Sequence, residues 1–156
     1  MWISIKPLSG EYSQAVKEIL STNIDIYGNF EDYSFLNTHL YEIDNENGDL
    51  IAFFGLSYWD TEVVISCVWV HPDWRRQGIF KTILKYAKKI APKDHWLVLN
   101  ASNTNVLANQ IYAHLLEYSH LDAKENVHWY IVRKIKKRGG NEPSSLCMSS
   151  KISFLR

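Results

Sequence analysis

The sequence predicts an α/β fold of the α+β-like kind, in which one mixed and mostly antiparallel sheet carries helices on both faces. Two observations lead to this prediction. Strand-like runs follow one another as a meander in the first half, and a strand–helix–strand unit comes after them. The chain has 156 residues, of which 46% are hydrophobic. That size suits one domain with a proper core and is small for two.

The first two elements are a strand and a helix. Residues 2–6 alternate in polarity, which predicts a strand. The residues after them repeat apolar side chains at helical spacing, which predicts a helix with one apolar face. The members of this face are Tyr12, Ala15, Val16, Ile19 and Leu20. Residues 22–39 are polar, aromatic and acidic, and we expect a variable loop with room for a short helix.

A three-stranded meander comes next. Residues 40–44 and 50–58 are strand-like, and Asn47-Gly48 between them is a strong signal for a hairpin turn. Residues 63–70 are apolar on both faces, which is typical of a strand in the middle of a sheet. Pro72 ends this strand, because proline cannot donate to a ladder.

The second half alternates helices and strands. A helix is predicted over residues 78–91, a strand over 96–100 and a helix over 104–116. The apolar face expected for the later helix comprises Val106, Leu107, Ile111, Tyr112 and Leu115. Residues 118–121 and 127–133 complete the sheet as a hairpin. The domain therefore spans residues 1–134, and residues 135–156 form a basic tail with Ser, Gly and Pro.

Composition narrows the function classes. No apolar run approaches the ~20 residues that span a bilayer, and the N-terminus lacks the pattern of a signal peptide. Cys67 and Cys147 are too few and too far apart for a disulfide framework or a metal cluster, and no metal is expected. We expect a cytoplasmic protein that does not bind membranes.

The net charge of zero conceals two blocks. Residues 1–74 contain two Lys and twelve acids, whereas residues 75–156 contain fifteen Lys and Arg and five acids. One interpretation is a pair of solvated faces, and the other is a second half that meets an anion and a first half that meets a cation. The lysines of the helix over 78–91 are spread on a solvent face, so nucleic acid is not an expected partner.

The loop before that helix carries the chemistry. A helix begins with unpaired N–H groups and the positive end of its dipole. Gly78 lets the backbone approach an oxyanion closely, and Arg75, Arg76 and Lys81 add positive charge. These are the parts of a pyrophosphate-binding site. Gly78 is not followed by Lys-Ser/Thr, and the loop has one glycine, so neither a P-loop nor a dinucleotide fingerprint is present.

The segment VWVHPDWRRQGIFK resembles the acetyl-CoA-binding motif of the GNAT superfamily of N-acetyltransferases, in which a strand precedes R/Q-x-x-G-x-G/A at a helix start. Arg75 and Gly78 match this motif, and Phe80 stands where Gly or Ala is usual. Asn105, Ala108 and Tyr112 are similar to the family's N-x-x-A-x-x-x-Y segment, after which Leu116-Glu117 replaces the common Gly-Phe. The element order over residues 1–133 is also that of the family.

The resemblance implies a GNAT-type domain, direct transfer of an acetyl group from acetyl-CoA to a primary amine, and a role for each matching residue. Tyr112 would protonate the departing thiolate, and Asn105 would reach the pantetheine arm. The strand end would bind the pantetheine and polarise the thioester carbonyl, and the helix entry would hold the pyrophosphate. The cofactor-binding residues are thus Val68, Trp69, Val70, Arg75, Arg76, Gln77, Gly78, Ile79, Phe80, Lys81 and Asn105.

The general base stays open between Glu62, Asp60, His71 and water. The acceptor is expected to be a small-molecule or peptide amine, and an acidic, aromatic first half favours a cationic one. This acidic group comprises Asp25, Glu31, Asp32, Glu42 and Asp44, near Tyr27, Phe30, Tyr33 and Phe35. The alternative function is a CoA-binding sensor or interaction module of the same fold with little catalysis. A homodimer is compatible with either function.

Overall fold

One seven-stranded sheet, in the order β1-β2-β3-β4-β5-β7-β6, organises residues 2–23 and 38–135, which are the residues that the computed structural model describes. The sheet is antiparallel except for the parallel pair β4 and β5. The strands are β1 (Ile3–Pro7), β2 (Thr38–Asn45), β3 (Leu50–Tyr58), β4 (Glu62–Val70), β5 (Trp96–Ser102), β6 (Glu117–Asp122) and β7 (Val127–Arg133). The helices are α1 (Gly10–Thr22), α2 (Ile79–Ile90) and α3 (Val106–Leu115), with a 3-10 turn over Pro72–Trp74.

Helices cover both faces of the sheet, as predicted. The neighbouring residues Phe53 and Phe54 of β3 point to opposite faces, because side chains alternate along a strand. Phe53 packs in a cluster with Leu20 of α1, whereas Phe54 packs in the main core with Ile83 of α2. All four side chains are fully buried. The predicted α/β fold class is therefore confirmed.

The parallel pair β4 and β5 separates part-way along its length. Residues 62–65 of β4 pair with residues 96–99 of β5, and beyond them β4 pairs only with β3, and β5 only with β7. The register of β3 and β4 shifts between Phe53 and Gly55, and Cys67 of β4 has a φ of 54°. Such a bulge bends a strand away from its neighbour. Residues 66–70 and 100–102 therefore form the two arms of an opening, which we call the fork.

Most element predictions are confirmed to within one or two residues. Gly48, with a φ of 83°, forms the turn of the predicted hairpin, and β4 is the central strand. The strand predicted over 96–100 continues to Ser102, because Ser102 pairs with Val127 of β7. The predicted loop falls largely within residues 24–37 and the predicted tail within 136–156, which lie outside the described residues.

The apolar face predicted for α3 is wrong. Tyr112 is buried, but Val106, Leu107, Ile111 and Leu115 are exposed. The helix contains no charged residue, so periodicity alone could not show which of its sides meets the sheet. Tyr112 packs in the main core, together with the partly buried Ala108 and Leu116.

None of the described helices combines the length and the apolar character needed to cross a membrane.

Candidate active site

The N-terminus of α2 presents a row of unpaired backbone donors. Gly78 precedes the helix in the left-handed conformation, with a φ of 80°, and Arg76 also has a positive φ, at 63°. The first helical hydrogen bond runs from Thr82 N to Gly78 O at 3.0 Å. The N–H groups of residues 78–81 come before this bond and therefore have no partner within α2. Four backbone donors and the positive end of the helix dipole thus stand at the start of α2, next to the exposed residues 75–78.

Space for a ligand exists beside these donors. A Cβ placed on Gly78 would meet no atom within 4 Å, so the backbone is open on that side. Arg75 Nε donates to Val70 O at 3.0 Å, which anchors the loop to the end of β4. Gln77 Nε2 donates to Asp73 O at 3.0 Å and closes the same loop. The loop is therefore held by its own side chains while its N–H groups remain available to an anion.

One arm of the fork, residues 66–70, leads into this loop. Val68 and Val70 pack against the main core on the α2 side, whereas Trp69 points to the α1 side and stacks on Phe53 at 5.4 Å between ring centroids. The strand end consequently presents backbone to the fork on the side that β5 has left. The side chain of Ile79, by contrast, is buried in the core, and only its N–H group belongs to the site.

Asn105, which immediately precedes α3, and Tyr112 within α3 complete the predicted set. Asn105 caps the helix, its Oδ1 accepting from Ala108 N at 3.2 Å. Its remaining amide donor, Nδ2, is not used by this cap. Tyr112 lies two turns later and contacts Phe80 of α2, with the ring centroids 5.0 Å apart. Tertiary packing thus joins the two motifs that the sequence separates by about thirty residues.

The model of the acetyltransferase (GNAT) family matches residues 7–118 of the chain. The chain belongs to this family. It is accordingly an acyltransferase of the N-acetyltransferase class. A search of the curated proteins finds no match.

Solved GNAT structures share the fold at low sequence identity. A GNAT-family acetyltransferase from Staphylococcus aureus Mu50 superimposes with a TM-score of 0.61 at 14% identity, covering 85% of this chain and 100% of its own. Spermidine N-acetyltransferase from Vibrio cholerae, in complex with CoA and spermine, gives 0.57 at 12% identity, with 83% and 92% covered. The ribosomal-protein-S18-alanine N-acetyltransferase of Escherichia coli gives 0.54 at 16%, with 83% and 91% covered.

The candidate bases of this GNAT domain lie at opposite ends of β4. Glu62 is at the closed end, paired with Trp96, and is buried with its Oε2 accepting from Thr61 Oγ1 at 2.5 Å. Four steps along the strand, about 13 Å, separate it from Ser66, where the fork begins, and eight steps, about 26 Å, separate it from Val70. Asp60 precedes Glu62 in the turn. His71 alone follows the open end, where its Nδ1 accepts from Asp73 N at 3.1 Å.

The described members of the predicted acidic acceptor site are used within the fold. Glu42 is buried, and its Oε1 accepts from Ser9 N at 2.8 Å, just before α1. Asp44 is buried as well and pairs with Lys6 at 3.2 Å. Neither side chain is therefore open to a substrate. Asp25, Glu31 and Asp32, and the aromatics predicted beside them, lie outside the described residues.

Sequence reasoning missed a polar group behind Tyr112. Asn109 Oδ1 accepts from the hydroxyl of Tyr130 at 2.7 Å, and Asn109 Nδ2 donates to Ser102 O at 2.8 Å. The only local signal is an asparagine inside a helix, a position that it disfavours.

The described residues contain no candidate metal site, that is, no group of three or more His, Cys, Asp or Glu side chains that could hold a metal ion.

Proposed function

We propose that the chain transfers an acetyl group directly from acetyl-CoA to a primary amine. The observation that carries the proposal is the row of N–H groups at residues 78–81, which precede the first hydrogen bond of α2 and have no partner within the helix. A pyrophosphate needs several donors and close approach of the backbone. The N–H groups supply the donors, and Gly78 allows the close approach because a Cβ placed there would meet no atom within 4 Å.

The charged side chains of the loop support the same ligand. Among the described residues, Arg75 donates through its Nε to Val70 O, and its terminal nitrogens would bind a phosphate oxygen. Arg76 and Lys81 flank the same donors. Phe80 occupies the position where the family usually has Gly or Ala, but its ring is directed to Tyr112 rather than to the N–H groups. We therefore expect Phe80 to leave the phosphate seat accessible.

The fork would receive the pantetheine arm and the thioester. The backbone of Val68, Trp69 and Val70 would run beside the arm, because β5 no longer pairs with this part of β4. A backbone N–H aimed at the thioester oxygen lowers the barrier by about 3 kcal/mol when negative charge develops there. Nδ2 of Asn105 would donate to an amide carbonyl of the arm.

In the reaction, the neutral amine forms a bond to the carbonyl carbon, and the carbon–sulfur bond then breaks. The sulfur leaves with the electron pair, and the hydroxyl of Tyr112 supplies its proton. Because a thiolate is a fair leaving group, this proton assists the reaction without being indispensable. The attacking nitrogen must also lose a proton, and His71 is the candidate acceptor at the open end of the fork. If His71→Gln leaves the pH–rate profile unchanged, the proton passes to water.

We further propose that the acceptor amine is cationic and that the protein is cytoplasmic. The support is the sequence of the first half, which has no Lys or Arg between residues 18 and 74, together with its acids at Asp25, Glu31 and Asp32. Spermine, which is bound in the Vibrio cholerae structure, is one amine of this class to test.

Thermal unfolding with acetyl-CoA, CoA and ATP tests the donor, and free-thiol release with a panel of amines tests the transfer. At 100 times its dissociation constant, acetyl-CoA should stabilise the protein by about 2.7 kcal/mol. No shift at millimolar acetyl-CoA would refute the donor. Binding without thiol release on spermine, amino acids, aminoglycosides and peptides would instead favour the CoA-binding module.

A further inference from the structure

Asn109 joins three elements at the end of the fork. Its Nδ2 donates to Ser102 O, the last residue of β5, at 2.8 Å, and to Asn105 O, just before α3, at 2.9 Å. Its Oδ1 accepts from the Tyr130 hydroxyl of β7 at 2.7 Å. Both amide hydrogens are therefore used, and each bond ends on a different segment.

Tyr130 extends this junction to Tyr112. The two rings meet edge to face, with centroids 5.7 Å apart, and only 2% of Tyr130 is exposed. Burial raises the pKa of Tyr130, so its hydroxyl remains a donor at neutral pH. The bond to Asn109 restrains the outer end of the Tyr130 ring, whose hydroxyl also lies 3.3 Å from Asn109 O, and this ring packs against Tyr112.

We propose that Asn109 and Tyr130 are positioning residues that hold Tyr112 and Asn105 in register with the fork. The inference rests on the proposed function, since it concerns the thiolate acid and the pantetheine donor of that reaction. Small displacements of a catalytic group reduce rate strongly. A junction that fixes the first turn of α3 to the end of β5 limits such displacements.

Packing alone does not account for this amide. Asparagine is a poorer helix former than alanine or leucine, and α3 lies at the surface. An apolar residue at position 109 would favour the helix more, but it would leave Ser102 O and the Tyr130 hydroxyl without this partner. Asn109 therefore lowers the intrinsic helix propensity of α3 but makes three hydrogen bonds to groups beside the site.

The test uses Asn109→Ala, Tyr130→Phe and Tyr112→Phe in the full chain, with Tyr118→Phe as the matched control. Tyr118 also packs on Tyr130 and also bonds through its hydroxyl, to His128 Nδ1 at 3.0 Å, but it makes no contact with Asn109 among those described. Acetyl-CoA affinity is measured by calorimetry, and turnover by thiol release with the best amine of the panel.

We expect Tyr130→Phe to lower kcat about tenfold with KM for acetyl-CoA unchanged, a loss equal to about 1.4 kcal/mol. In the Tyr112→Phe background the same change should have no further effect, because Tyr130 acts through Tyr112. Asn109→Ala should also weaken acetyl-CoA binding, by about tenfold, since it loosens the turn that carries Asn105 by removing two side-chain bonds and leaves the backbone bond from Asn105 N to Ser102 O. Tyr118→Phe should retain wild-type values.

Each failure has a distinct signature. A wild-type protein that does not bind acetyl-CoA refutes the proposed function itself. If the wild type binds or turns over, but Tyr130→Phe and Asn109→Ala match Tyr118→Phe in affinity and kcat, the positioning role is refuted. Additive losses for Tyr130→Phe and Tyr112→Phe also refute it, even where both variants are less stable.

Discussion

Replacing Gly78 by aspartate would test the pyrophosphate seat directly. The added Cβ meets no atom within 4 Å, so the surrounding structure leaves room for a side chain to begin at this position. Its φ of 80° is unfavourable for a residue with a side chain, which costs about 1 kcal/mol of stability. The carboxylate, however, would lie among the N–H groups of residues 76–81 and compete with any anion there.

The expected loss of affinity follows from Coulomb's law. Two like charges about 4 Å apart repel by about 1 kcal/mol in bulk water and by about 4 kcal/mol at the effective dielectric of a protein surface. One phosphate charge beside the introduced carboxylate would therefore weaken binding by roughly fivefold to a thousandfold. With a hundredfold loss, ligand at 100 times the wild-type dissociation constant would stabilise the variant by only about 0.4 kcal/mol instead of about 2.7 kcal/mol.

Thermal unfolding with and without acetyl-CoA measures this difference. The wild type should gain roughly 5–10 °C at that ligand concentration, and Gly78→Asp about 1–2 °C. Gly48→Asp is the matched control, because Gly48 has a φ of 83° and the same open space but sits in the hairpin between β2 and β3. It should lose similar stability and keep the full ligand shift.

Two outcomes would refute this reasoning. Wild-type affinity in Gly78→Asp would mean that the phosphates bind elsewhere on the chain. Equal loss of the ligand shift in Gly48→Asp would mean that the effect comes from the fold and not from the seat.

Three further changes test the site and its supports. Tyr112→Phe should lower kcat by about 10²-fold or less at unchanged acetyl-CoA affinity, and the loss of kcat should be smaller for an acyl donor whose thiol leaves more readily. Wild-type turnover in this variant would mean that Tyr112 only packs in the core. Arg133→Met should lower the free energy of unfolding, measured by chemical denaturation, by about 2–3 kcal/mol, because it removes the hydrogen bonds from the guanidinium to the carbonyls of Lys88, Pro92 and His95. A loss below about 0.5 kcal/mol would contradict this prediction. Burial lowers the pKa of His120 in the folded state, so the unfolded chain binds more protons just below neutral pH. The free energy of unfolding should therefore fall as the pH drops from about 7 through that folded pKa. His120→Gln should flatten this pH dependence, and an unchanged pH dependence would exclude His120 as its source.

Local chemistry in the sequence was enough to predict most of the architecture. Alternation and turn residues locate β2 and β3, because Gly48 adopts the positive φ of the turn without help from the rest of the chain. An apolar run on both faces indicates that β4 is central, since only a strand covered on both sides tolerates it. The start of α2 was predictable for the same reason, because Gly78 and the charges around it act within a few residues.

The tertiary structure decided what depends on distant partners. The fork arises where β4 pairs only with β3 and β5 pairs only with β7. The sequence of neither strand indicates the residue at which the pairing of β4 with β5 ends. The packing of Tyr112 in the core decides which side of α3 is exposed. The helix contains no Asp, Glu, Lys or Arg, so its sequence does not indicate which side faces the solvent. Asn109 meets Ser102 and Tyr130 only because β5, α3 and β7 converge there, and a hydrogen bond between residues far apart in sequence leaves no period to read.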